Sequence, residues 1–269
     1  MEPLPDKQPT LSPAEITLFT RELGSKKINQ PLGKTLVLGF LAGAYIAMGG
    51  LLSVVVGSGF PEWTEANPGL QKLLAGATFP VGLILVVIAG AELFTGNNAT
   101  LISGAFHRQY SWGAVLRNWT LVWLANFAGA LFFSYFLIYL TGILHPDPWH
   151  TAIIKIAETK TALPGHVVFL KGIGANWLVC LAVWLGLASR GTGGKMLGLW
   201  WPVMCFVAIG FEHSIANMFY IPSGIFQGAD VSWSSCFRDN LIPATLGNIV
   251  GGAFFVGTLY WYVYARKNG

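Results

Sequence analysis

Gly90-Ala91-Glu92-Leu93-Phe94-Thr95-Gly96-Asn97 and Gly210-Phe211-Glu212-His213-Ser214-Ile215-Ala216-Asn217 decide how this chain folds. Each stands inside an otherwise apolar run, roughly 72 to 105 for the first and 196 to 226 for the second. Each opens on Gly-x-Glu and sets an asparagine five residues after the glutamate. A membrane-spanning helix needs about 20 apolar residues, and both runs are long enough, so the polar insertions mark helices interrupted at membrane depth. Backbone opened there cannot face lipid; it must line a cavity or be covered by protein.

Working outward, four uninterrupted apolar stretches accompany these two, at roughly 35 to 58, 113 to 142, 165 to 189 and 240 to 264. Hydrophobic residues make up 54% of the chain and charged residues 10%. Soluble domains carry about 25% charged residues, so the expected class is an all-α integral membrane protein with six transmembrane helices. The net charge of +4 is scattered between apolar runs and forms no stripe suited to a phosphate backbone, which argues against nucleic acid. Cys180, Cys205 and Cys236 have no paired spacing, and His107, His145, His150, His166 and His213 have no metal-ligand spacing, so neither a metal nor a cofactor is expected.

The third and sixth stretches repeat a second pattern. Asn118, Asn126 and Gly129 are spaced as Asn240, Asn248 and Gly251 are. Two coincident patterns divide the six helices into two three-helix repeats. An odd number of helices per repeat forces the copies into opposite orientations, an arrangement common in transport proteins.

The expected division is a cytoplasmic segment over 1–30 and a six-helix channel domain over 31–269. Ser12-Pro13-Ala14-Glu15 reads as a cap with an acidic first turn, so a helix is expected from Ser12. The first 30 residues are polar, and no cleaved signal peptide is expected. With both tails on one side, that side holds Lys7, Arg21, Lys26, Lys27, Lys34, Arg108, Arg117, Arg190, Lys195, Arg266 and Lys267. The other holds Lys72, Lys155, Lys160, Lys171 and Arg238. The excess places both termini in the cytoplasm.

Inward-facing helix amino termini favour an anion. His213 is an ionisable group near the bilayer centre, where such groups usually face an internal path, although a buried histidine bonded to a backbone carbonyl is the plainer reading. Asn176, midway along the fourth stretch, could hold that ring or simply bridge two helices. Thr95 could donate to a passing anion or bond its own backbone. Glu92 and Glu212 could suggest a proton relay, but their matched positions fit a structural duty better, each accepting from amides that the break exposes. Asn97 and Asn217 belong to the same structural set. Lys160 and Lys34 lie at opposite faces, either snorkelling to headgroups or concentrating anions at two vestibules. Phe79, Leu83, Phe94 and Phe206 are either apolar constrictions or ordinary packing.

At these residues the chain resembles the formate/nitrite transporter family, from about Lys26 to the end. The two interrupted segments look like that family's broken second and fifth helices. Asn176-Trp177-Leu178-Val179-Cys180-Leu181-Ala182 and Asp239-Asn240-Leu241-Ile242-Pro243 are similar to further signatures. The resemblance implies an aquaporin-like fold, a homopentamer with a pore in each protomer, and location in the inner or plasma membrane. It implies Thr95 as the threonine of the mobile loop, His213 as the central histidine, Asn176 as the asparagine near it, and Lys160 and Lys34 as the outer and inner lysines. The implied mechanism is that vestibule cations attract a monovalent anion and that His213 with Thr95 supplies a proton or strong hydrogen bond, with formate the first substrate. Nitrite, hydrosulfide, lactate and acetate share its charge and small size. A neutral-solute channel of aquaporin type is the remaining alternative, and the chain is not expected to be an enzyme.

Overall fold

The computed structural model describes residues 10–266 and is helical throughout, with one isolated β-bridge between Thr10 and Ser189. Lys7 and Lys267, counted above for orientation, and residues 1–9 of the proposed cytoplasmic segment lie outside the described residues. Helix α1 spans Pro13–Ile28 and starts as its sequence requires: Glu15 N–H donates to Ser12 Oγ at 3.3 Å, and Ser12 N–H donates to Glu15 Oε2 at 2.8 Å.

Six elements are long and apolar enough to cross a membrane: α2 (Leu32–Gly57), α3 (Pro68–Gly90), and, named below, α5, α7, α8 and α10. Between α3 and α5 (Trp112–Tyr139) the interrupted run resumes as α4, Phe94–Thr100. An additional helix, α6 (Trp149–Thr161), precedes α7 (Gly165–Ala188). Helix α8 (Thr192–Ile209) is the fifth span; its run resumes as α9, Ser214–Phe226, and α10 (Trp233–Tyr264) completes the bundle.

The halves are built alike. Helix α2 packs along α5, and α7 packs along α10. Across the pseudo-symmetric pair, Trp123 Nε1 on α5 donates to Thr245 Oγ1 on α10 at 3.0 Å. Helices α5 and α10 each contain π-helical turns, at Phe133–Tyr139 in one and at Cys236–Leu241 and Val250–Thr258 in the other. Such turns shift a helix face by a fraction of a turn without breaking the chain.

Large apolar side chains such as Leu116, Trp201 and Val263 point outward, each at least 60% exposed. Polar side chains are instead packed inside: Asn97, Asn126, Asn176, Asn217, Asn240 and Asn248 are buried at 1% exposure or less. This inversion of the soluble pattern identifies a multi-pass membrane protein.

Helix α1 is part of the fold. Its Ile16 is buried with Ala99, Cys180, Trp184 and Val256, and Leu11 N–H donates to the Ala188 carbonyl at the end of α7. The segment read as a cytoplasmic tail is thus packed on the channel helices from Leu11 onward.

Candidate functional site

Both interruptions are made the same way. Helix α3 ends at Gly90 with φ +84° and α8 is capped by Gly210 with φ +80°, a left-handed conformation that glycine adopts without a Cβ penalty. The chain then runs extended and re-enters a helix beyond the gap. Helix α4 continues toward the face that carries the termini and α9 toward the opposite face, so the amino ends of both half-helices meet at the centre.

Part of the opened backbone is bonded by side-chain amides from the neighbouring long helices. In the first half, Asn126 Oδ1 accepts from Phe94 N–H at 3.0 Å, while its Nδ2 donates to the Gly39 and Glu92 carbonyls at 2.7 and 2.9 Å. In the second, Asn248 Oδ1 accepts from Ser214 N–H at 2.8 Å, and its Nδ2 donates to the Gly172 and Glu212 carbonyls at 2.8 and 3.0 Å. The two asparagines do in each half what the glutamates were expected to do.

The glutamates have another duty. Lys27 Nζ lies 2.8 Å from the Glu92 carboxylate, which also accepts from Asn97 Nδ2 at 2.9 Å. Lys160 Nζ lies 3.0 Å from Glu212, which accepts from Asn217 and Asn240 at 2.7 and 3.2 Å. Asn97 and Asn217 donate onward to Asn118 and Asn240 Oδ1. Both carboxylates are thus neutralised and hydrogen-bonded, as buried charges require. Lys160 stands where the sequence placed a vestibule cation. Lys34 does not reach the first break: it is exposed on the first turn of α2, and the lysine paired with Glu92 is Lys27, at the carboxyl end of α1. That lysine was hidden in a segment read as a tail, 65 residues from its partner.

At the centre the two halves differ. His213 Nε2 lies 3.1 Å from Thr95 Oγ1, both fully enclosed. Its other nitrogen, Nδ1, accepts from Ala216 N–H at 3.1 Å, as the amino-terminal cap of α9. That bond requires Nδ1 to be unprotonated, so the ring hydrogen sits on Nε2 and is donated to Thr95. The threonine hydroxyl hydrogen remains for a further acceptor.

Asn176 does not hold the imidazole. Its Nδ2 lies 3.2 Å from the Thr95 carbonyl, 3.0 Å from Asn98 Oδ1 and 2.6 Å from the Asn248 carbonyl, bridging α7, α4 and α10. Of its two readings, bridging is the one realised. Asn176 therefore fixes the backbone of Thr95 rather than the ring of His213. The equivalent position in α2 is Gly43, where a Cβ would collide with the Asn126 carbonyl.

Above the pair, Phe206 stacks on the imidazole at 5.6 Å, and Phe79 meets Phe206 edge-on at 5.8 Å. These rings and His213 lie at the floor of a cavity of about 810 Å³ that opens toward the face opposite the termini. Lys72, Lys155, Lys160 and Lys171 line it, with Glu65, Asp147 and Glu212 as the acidic groups. Hydrogen bonds from the Thr151 hydroxyl and amide hold the Asp147 carboxyl below its ordinary pKa. Leu83, Phe94 and Thr95 are buried and take no part in that lining, and Phe94 packs edge-on against Trp119 at 6.5 Å. Of the four residues read as constrictions, Phe79 and Phe206 line the cavity, and Leu83 and Phe94 do not.

The family model described as Formate/nitrite transporter matches residues 14–262. A protein described as a probable formate transporter of Methanothermobacter thermautotrophicus is 49% identical, over 95% of this chain and 98% of its own length. A solved FNT family ion channel superimposes with a TM-score of 0.82 at 34% identity, covering 93% of this chain and 98% of that one. A second structure, a pentameric formate channel with formate bound, gives 0.76 at 34% identity over 87% and 98%. The match begins at residue 14, upstream of the Lys26 where the resemblance was first legible, and so includes α1 and its Lys27. Two inverted repeats, two glycine-ended helix breaks and a match over nearly the whole length have one reading: the chain belongs to the formate/nitrite transporter family, whose members are membrane channels and transporters and not enzymes.

Proposed function

We propose that this protein conducts formate, as the leading member of a set of small monovalent anions, through a pore in each protomer of a homopentamer. The observation that carries the reading is the His213–Thr95 pair, enclosed between two half-helix amino ends beneath a lysine-lined cavity. The similar pentameric formate channel supports both the substrate and the assembly, and outward-facing apolar side chains leave surface for lipid and for neighbouring protomers. The lysine and arginine excess on the side of the termini supports cytoplasmic tails in an inner or plasma membrane.

Passage is pH-dependent and proton-linked. An anion crossing a dry constriction faces a large desolvation cost, which falls when a proton from the aqueous cavity accompanies it. His213 donates from Nε2 to Thr95, and the polarised threonine hydroxyl donates to the passing species. Phe79 and Phe206 exclude the hydration shell. Asn176 holds the Thr95 backbone in place, Lys160, with Lys27 in the role first given to Lys34, keeps each break neutral, and Lys72, Lys155 and Lys171 on the cavity wall raise the local anion concentration.

The test is flux into proteoliposomes containing the purified protein, with formate, nitrite, hydrosulfide and lactate at two pH values. Formate uptake is expected to rise as pH falls and to be lost in His213→Phe with the pentamer intact. Glycerol or water flux indifferent to pH, with no anion flux, would overturn the reading.

A further inference from the structure

The face of α9 that looks into the cavity carries more than the central histidine. His213, Ala216, Asn217 and Tyr220 recur at helical spacing, and all four line the cavity. Tyr220 is a large polar aromatic among Met218, Phe219 and Ile221, and its ring is held on two sides. Phe79 stacks against it at 6.4 Å with the planes 22° apart, and the Lys160 ammonium lies 5.5 Å from its centroid. Ser53 of α2, also on the cavity wall, stands beside the phenol oxygen.

Ser53 is a hydrogen-bonding partner of that phenol oxygen, and among the described hydrogen bonds no other protein group accepts from the Tyr220 hydroxyl. The nearby carboxylate, Glu212, is engaged by Lys160, Asn217 and Asn240. Lys72, Lys155 and Lys171 are the other cations on the lining. The other mouth lacks this arrangement: the equivalent position in α4 is Thr100, whose hydroxyl bonds the Gly96 carbonyl at 3.2 Å.

We propose that Tyr220 is a specificity-determining residue of the conduit: its hydroxyl and the Lys160 ammonium form a two-donor subsite at the cavity floor for an anion with two acceptor oxygens. Such an anion can bridge a charged and a neutral donor, while a one-atom anion uses only the ammonium. Phe79, stacked on the phenol, limits what else the subsite admits. This proposal rests on the anion-conduit reading above.

Tyr220→Phe keeps the ring beneath Lys160 and the stack on Phe79 and removes only the hydroxyl. In proteoliposomes the half-saturating concentration is expected to rise about tenfold for formate, the loss typical of one hydrogen bond to a charged group. Maximal flux should stay within about twofold, since the His213–Thr95 pair is untouched, and the half-saturating concentration for hydrosulfide should stay unchanged. An unaltered formate value in a variant that still conducts overturns the subsite alone. Equal shifts for formate and hydrosulfide also overturn it, because the hydroxyl would then act only by shaping the cavity. Absence of anion flux in the parent protein overturns the conduit reading and the subsite with it.

Discussion

The imidazole of His213 and the hydroxyl of Thr95 meet at 3.1 Å although they belong to opposite halves of the chain, 118 residues apart. Each half supplies one break with one polar side chain at its mouth. The first half has Leu93 where the second has His213, and the second has Ile215 where the first has Thr95. The contact exists only because the repeats are inverted and face each other.

Thr95→Val removes the acceptor for the imidazole and the donor for the anion while conserving shape. Formate flux is expected to fall at least about tenfold, the lower range for losing one hydrogen bond to a charged group. Thr95→Ser should keep most of it. Uptake by proteoliposomes, normalised to pentamer, reads both, and a Val variant equal to the parent would remove Thr95 from the pathway.

Asn126→Ala leaves the Phe94 amide and the Gly39 and Glu92 carbonyls without their buried partner; Asn248→Ala does the same to Ser214, Gly172 and Glu212. Each orphaned group costs about 1–3 kcal/mol, so both variants should be strongly destabilised, and by similar amounts. Melting of the detergent-solubilised protein checks this. A loss confined to one half would contradict the equivalence of the two latches.

Gly43→Ala sets a Cβ against the carbonyl of Asn126, backbone that cannot step aside, whereas Gly33→Ala meets nothing within 4 Å. Overpacking of this kind costs about 1–3 kcal/mol. The first substitution should lower the melting temperature and the second should not.

Lys27→Met leaves the Glu92 carboxylate buried and unpaired, its side chain 7% exposed. Breaking a buried pair from one side costs about 3–5 kcal/mol, and with Lys27 partly open to solvent the lower end applies. Adding Glu92→Gln should recover a large part. A double-mutant cycle on melting or pentamer yield measures the coupling; additive effects would show that α1 is held by other contacts.

Glu15 is held below its ordinary pKa chiefly by the Ser12 backbone amide and then by the Ser12 hydroxyl. A lowered folded pKa means that the cap stabilises α1 fully above the ordinary carboxylate value and loses that effect as pH falls through the lowered one. Hydrogen exchange of the α1 amides should accelerate over that acid window, and Glu15→Gln should abolish the dependence.

Much of this was legible before any coordinates. The Gly-x-Glu breaks and the spacing of Asn126 and Asn248 stand out because polar residues are rare in apolar runs, and their repetition separates design from accident. What escaped depended on distance through space. Lys27 lay in a polar stretch whose contact with Glu92 no local pattern announces. The duty of the glutamates was misjudged because the asparagines that relieve them sit on another helix. Asn176 looks equally suited to the imidazole or to backbone until the fold places the Thr95 and Asn248 carbonyls beside it. The π-helical turns in α5 and α10 leave no mark in hydrophobic periodicity, since one extra residue per turn barely moves an apolar face.

The asparagine latches also bear on electrical insulation. A helix broken inside a membrane ordinarily recruits water to its exposed amides and carbonyls, and a file of water conducts protons freely. Here Asn126 and Asn248 each occupy one amide and one carbonyl of a break from within the protein. The septum between the cavity floor and Lys27 therefore offers fewer sites to a water file, so on the proposed mechanism a proton crosses in the company of an anion rather than by leaking along water.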